Sequence, residues 1–117
     1  MLWVITSEHE LAGYLMAGVL EADFHIQQMD VAPEHGRKGL GRALLRHALE
    51  QGRARGYQRA VLSTLSDVAW NAPFYASEGF REWPSPDWSA GMREVMAAEA
   101  AAGFPMELRL VMQRTLE

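Results

Sequence analysis

An α/β fold (α+β in its segregation of strands), with a mixed central β-sheet and helices packed on it, is what this sequence predicts. Three observations carry that expectation. Residues 1–32 hold three short apolar runs parted by polar turns, the pattern of an antiparallel meander. Residues 33–56 and 57–83 hold a glycine-rich loop, an amphipathic helical stripe and a compact β-run, so that strand, helix and strand follow in order. Residues 84–117 add a second helical stripe and a last alternating strand. At 117 residues and 49% hydrophobic content the chain fits one domain with a real core, divided at those boundaries.

The elements follow in turn. Leu2–Thr6 is a short apolar run and Ser7–His9 a turn. Leu11–Leu20 is a strand with glycines at 13 and 18, positions that mark a bulge or a close backbone approach. Glu21–Asp23 turns the chain into a third strand, Phe24–Ala32, which Pro33 ends. The first helix runs over about Gly39–Arg55. Leu40, Ala43, Leu44, Ala48 and Leu49 form its apolar stripe, and Gly56 sits where a helix C-terminal glycine belongs. Ala60–Leu65 is the next strand, parallel to the third because a helix crosses between them. Asp67 is placed to cap a short helix from about Val68 to Ser77, ended by Gly79. Phe80–Trp83 is a short strand, and Pro84 and Pro86 make a turn. Trp88, Met92, Val95 and Met96 stripe a helix reaching about Ala102, covering either this domain or a second subunit. Leu108–Arg114 is the last strand.

Composition narrows the function. With no cysteine, disulfides, thiolate metal sites and a cysteine nucleophile are excluded. A net charge of -4 argues against a general nucleic-acid surface, although a local basic patch can still bind phosphate. No 18-residue apolar run is present and the N-terminus lacks signal-peptide features, so the expected setting is cytoplasmic, away from membranes. The four histidines show no zinc-protease spacing, and no metal is expected; Ser7–Glu10 reads as a polar hairpin turn.

The chemistry concentrates in Val31–Leu45. There a strand ends, a glycine-rich loop follows, and a helix starts inside the loop. A helix N-terminus offers unpaired N–H groups and a partial positive charge, which suit a phosphate. Gly36, Gly39 and Gly41 remove Cβ atoms where an anion must approach, and Arg37, Lys38 and Arg42 add positive charge. The pattern is neither the NTPase loop nor the dinucleotide fingerprint: there is no G-x-x-x-x-G-K-[ST], and no third glycine follows Gly41. It resembles the coenzyme A loop of the GNAT superfamily of N-acetyltransferases, which follows a Val-x-Pro strand end and reads Gln/Arg-x-x-Gly-x-Gly/Ala. The departure is Gly36 at the Gln/Arg position, with arginine displaced to Arg37. Trp70–Phe80 is similar to a second signature of the same family, Phe-Tyr-x-x-x-Gly-Phe, through Phe74, Tyr75, Gly79 and Phe80. The resemblance covers roughly Leu2 to Phe80. The family usually opens with a strand and two helices ahead of the run at Leu2–Thr6. Their absence here leaves open a naturally short form, a truncated piece, or a gap filled by a partner subunit.

The resemblance implies a sheet splayed between the third and fourth strands, with acetyl-CoA as acyl-donor cosubstrate in the opening. Leu40 and the loop residues would hold its pyrophosphate. Backbone N–H groups near Met29, Asp30 and Val31 would hold the thioester carbonyl and pantetheine; the alternative is that these amides pair in a continuous sheet. Tyr75 is the implied general acid for the departing thiolate, against the alternative of a helix tyrosine packing beside Phe74. Asn71 and Phe74 are placed as cofactor contacts, although the family often carries the asparagine about one turn earlier, where Val68 stands. For the base, His25 lies on the third strand with Gln27 and Met29 on its face by alternation, Glu21, Asp23 and Asp30 are further options, and a water relay serves equally. Ser63, Thr64 and Ser66 face the expected cleft or bond locally. The implied reaction is direct acetyl transfer to a primary amine, small or at a peptide end, by a homodimer with no nucleic-acid or membrane partner. The alternative is a non-catalytic acyl-CoA-binding or assembly module without an acceptor pocket.

Overall fold

The first three runs pair as an antiparallel meander: β1 (Leu2–Ser7) with β2 (Glu10–Leu20), and β2 with β3 (Asp23–Val31). The computed structural model describes residues 1–35, 39–66 and 71–116. Ser7 lies opposite Glu10, so the first turn is only Glu8 and His9. Both take positive φ, 54° and 68°, the torsions of the I′ kind of two-residue turn, whose twist matches that of the flanking strands. Helix α1 (Leu40–Ala54) packs on the meander through Leu44, Leu45, Ala48 and Leu49. Gly52 allows the close approach there, since a Cβ on it would come within 3.0 Å of the Phe24 ring. Phe24, Leu15, Ala17 and Ile26 form the apolar floor under the helix. Burying each large apolar side chain of this kind contributes roughly 1.5–3 kcal/mol.

Register corrects one expectation. Met16 pairs with Gln28 and Ala17 with Ile26, which leaves Gln27 as an extra residue in β3. Such a bulge interrupts strand alternation. His25 therefore lies opposite Gly18, whereas Met29 lies opposite Leu15, on the helix-covered face. His25 and Met29 do not share a face, contrary to simple alternation.

The chain divides into two compact units, Met1–Ala60 with Thr115–Glu117, and Val61–Arg114. The second is built on β4 (Arg59–Leu65), β6 (Arg109–Thr115) and β5 (Arg81–Glu82), in the order β4-β6-β5. β5 and β6 are antiparallel, with Arg81 opposite Gln113. Helix α2 spans Ala72–Ser77 and α3 spans Ala90–Ala101. The Asp67 cap and residues 68–70 of the expected α2 lie outside the described residues. Trp88 is not part of α3: Ser89 caps that helix, its Oγ accepting from Met92 N at 3.2 Å. The Trp88 indole instead donates to Trp83 O at 2.7 Å, and the Trp83 indole donates to Asp87 O at 3.0 Å. Met92 and Met96 are buried within this chain, so that stripe serves its own core. Among the described residues, six strands and three α-helices make the mixed α/β class that the sequence predicts.

Helices α1, α2 and α3 end in the same closure, a glycine in the left-handed region followed by an aromatic residue. Tyr57, Phe80 and Phe104 each donate a backbone N–H back across the last turn, to Gly52, Tyr75 and Glu99. Among the described residues no helix is long and apolar enough to cross a membrane, and no group of three or more metal-ligating side chains assembles.

Candidate functional site

In the first unit the expected phosphate loop is rooted on β3 and β2. Met29, Asp30 and Val31 pair with Leu15, Tyr14 and Gly13. Gly13 permits this approach, because a Cβ on it would lie 2.6 Å from Asp30 O. On the exposed side, Tyr14 Oη donates to Asp30 Oδ2 at 3.0 Å and Gln28 Nε2 donates to the same oxygen at 3.1 Å. The bond to Asp30 holds the Tyr14 phenol above its usual range, with partial desolvation and the carboxylate charge acting in the same direction. Tyr14 thus stays protonated and remains a donor well into alkaline conditions.

Past β3 the chain makes a 3-10 turn, Pro33–His35. Gly36, Arg37 and Lys38 lie outside the described residues. Gly39 then enters α1 at φ 74°, a left-handed torsion that costs a residue with a Cβ roughly 1–2 kcal/mol. The need is torsional, since a Cβ there would meet nothing within 4 Å among the described residues. Gly41 differs: among the described residues a Cβ would touch only Val31 Cγ2, at an ordinary 3.5 Å. The first bond within α1 runs from Ala43 N to Gly39 O at 3.0 Å. Gly39, at the N-cap position, has no side chain to accept from the amides ahead of Ala43, and the first turn holds no acidic residue. Arg42 is exposed on this turn and Leu40 is half-buried. A helix start with no side-chain cap among the described residues, no acid in its first turn and a basic residue on it fits a diphosphate.

The second unit holds the Phe-Tyr motif. Tyr75 is buried, its ring edge-on to Phe74 at 5.3 Å and to Phe80 at 5.6 Å. Its carbonyl accepts from Phe80 N at 3.0 Å and its amide donates to Asn71 O at 2.9 Å. Asn71 is the N-cap residue of α2, not an interior position, and makes no side-chain cap. The glycine of the motif has a local cause. Gly79 sits at φ 91°, and a Cβ would lie 3.3 Å from Arg114 Nε, while Arg114 Nη1 donates to Glu78 O at 2.8 Å. Gly79→Ala is expected to cost about 1–2 kcal/mol from the torsion alone. A chemical-denaturation midpoint that stays at the wild-type value would contradict this account of the motif.

Two serine expectations are corrected. Ser63 Oγ donates to Glu99 Oε2 at 2.7 Å and accepts from Arg109 Nη2 at 2.9 Å, while Arg109 Nε donates to Glu99 Oε1 at 2.9 Å. That hydroxyl ties β4 to α3 and β6. Ser66 Oγ donates to Leu108 O at 3.1 Å, and Thr64 is buried. None of these partners was legible by spacing, because they come from segments more than 35 residues away.

Comparison with known proteins is consistent in direction. A family model described as "Acetyltransferase (GNAT) domain" matches residues 1–82. Human N-acetyltransferase 8 is 31% identical over 88 residues, which cover 68% of this chain and 38% of that protein. The chain thus spans well under half the length of that curated relative. The ribosomal-protein-S18-alanine N-acetyltransferase of Escherichia coli superposes with a TM-score of 0.75 at 19% identity, over 100% of this chain and 69% of the other. N-acetylglutamate synthase of Neisseria gonorrhoeae, solved with coenzyme A and N-acetyl-glutamate, gives 0.80 at 17% identity, over 99% of this chain and 26% of the other. At such identities the two structures speak for the fold alone.

Proposed function

The chain belongs to the GNAT family of acetyltransferases, and from that premise we propose that it is an acetyl-CoA-dependent N-acetyltransferase acting on a primary amine. One observation carries the cofactor half: α1 begins at a left-handed glycine that supplies no side-chain cap, and its first turn holds no acid. Leu40, Gly41 and Arg42 would hold the pyrophosphate by backbone N–H and side-chain charge. Gly36, Arg37 and Lys38 belong to the same loop by sequence.

Acetyl-CoA supplies a thioester whose carbonyl carbon the amine attacks. A new C–N bond forms, the C–S bond breaks, and the amine's proton goes to water. Tyr75 gives its phenolic proton to the departing thiolate and regains one from solvent. Backbone N–H groups at Met29–Val31 orient the thioester. The acceptor is a primary amine, small or at a peptide end.

Calorimetric titration of cofactor-stripped protein with acetyl-CoA, with adenosine monophosphate as control, tests this directly. Saturable binding that adenosine monophosphate does not match is expected. Folded protein that binds neither removes the cofactor claim. A retained cofactor with no transfer to any amine in a broad panel selects the non-catalytic module instead.

A further inference from the structure

Strand β1 lies at the edge of the meander: among the described residues it pairs with β2 alone. Exposed edges invite a further strand, and proteins commonly guard them with charges, proline or a bulge. Leu2–Ser7 carries no charge and no proline. The register shift against it, between Ile5 and Thr6, leaves the extra residue in β2, as Ala12, so β1 itself runs unbroken. Its side chains divide by alternation. Trp3 lies opposite Leu15 on the helix-covered face, its ring 6.0 Å from Phe24. Leu2, Val4 and Thr6 point the other way, opposite Met16, Tyr14 and Leu11. Leu2 and Val4 are 63% and 56% exposed, and Met16 and Leu11 are exposed beside them. An uncharged edge thus borders an apolar strip of open sheet.

Charge decides what fits there. Arg55 stands at the N-terminal end of β1, its guanidinium 5.8 Å over the Trp3 ring and donating to Met1 Sδ. Glu8 and Glu10, both exposed, stand at the other end, in and after the two-residue turn. One end of the edge is basic and the other acidic. A second β1 laid antiparallel sets each basic end against the other's acidic end, whereas a parallel one would set like against like. We infer that β1 is a dimerisation edge, which takes the β1 of a second copy of this chain in antiparallel register about a two-fold axis at Val4. Val4 then lies opposite Val4 of the second copy, and Leu2 opposite its Thr6. The two-fold makes every contact twice, and the apolar strips of the two copies join into one face. Backbone hydrogen bonds supply the attraction, and the charged ends fix the direction. Acetyl-CoA takes no part in this contact.

Sedimentation equilibrium of the full chain tests it, with melting curves to show that each variant is folded. A reversible dimer is expected for the wild type. Val4→Lys should be monomeric at the same concentrations and still folded, since position 4 is exposed and two lysines would lie directly opposite each other at the axis. Arg55→Glu and Glu8→Lys should each weaken the dimer about 10-fold, because each puts like charges together at both ends. An equal mixture of those two variants should associate nearly as the wild type does, because every charged contact between unlike copies is again of opposite sign. A wild type that stays monomeric, a dimer that survives Val4→Lys, or a mixture that associates no better than its parts would each overturn the edge contact.

Discussion

Gly41→Leu is expected to fold and to bind acetyl-CoA about 100-fold more weakly, which corresponds to losing one or two charge-assisted hydrogen bonds at roughly 1.5–3 kcal/mol each. The reasoning separates fold from function at one residue. Among the described residues a Cβ at position 41 would meet only Val31 Cγ2, at 3.5 Å, so a side chain can be accommodated at its base. Position 41 lies in the first turn of α1, where exchanging glycine for a better helix former offsets part of any packing cost. The outer atoms of leucine, however, would stand over amides assigned to the pyrophosphate. Gly41→Ala is the graded control: near-normal or slightly raised stability, with a modest loss of affinity. Gly39→Ala should show the opposite emphasis, losing about 1 kcal/mol of stability because of its φ of 74°. Thermal melting and acetyl-CoA titration of the three variants decide it. Full affinity in a folded Gly41→Leu would place the cofactor elsewhere.

Tyr75→Phe is expected to slow acetyl transfer by about 100-fold or more while leaving acetyl-CoA affinity near normal, the usual range for loss of a positioned proton donor. Phenylalanine keeps both edge-on ring contacts, to Phe74 and Phe80, and the backbone bonds of residue 75 to Asn71, Glu78 and Phe80. Folding should therefore survive, and the change isolates the hydroxyl. Tyr75→Ala would not do so, because removing a ring from this cluster costs about 3–5 kcal/mol. Single-turnover rates with preloaded acetyl-CoA give the chemical step directly. A large affinity loss with an unchanged single-turnover rate would assign Tyr75 to cofactor packing and withdraw the acid.

Local signals were legible where the physics is local. The three runs before Pro33 pair as read, since apolar alternation and polar turns need no distant partner to declare themselves. The stripe of α1 and its closing glycine follow from helical periodicity and from the torsion a glycine alone adopts freely. The cap of α3 was equally local. Ser89, three residues ahead of Met92, was a readable N-terminus that the hydrophobic stripe through Trp88 obscured.

The sequence by itself determined the α/β class, the order of its elements and the family, because hydrophobic period, turn chemistry and the two glycine motifs are properties of short stretches. Only the tertiary structure decided which side chains meet. The extra residue at Gln27 shows in the register with β2 and moves Met29 to the helix-covered face. Ser63 is engaged by Glu99 and Arg109, and His35 by Glu10, across 25 to 46 residues of chain. Such pairings depend on strand register and on the depth to which a helix packs. A one-residue shift changes both, while composition and spacing stay the same.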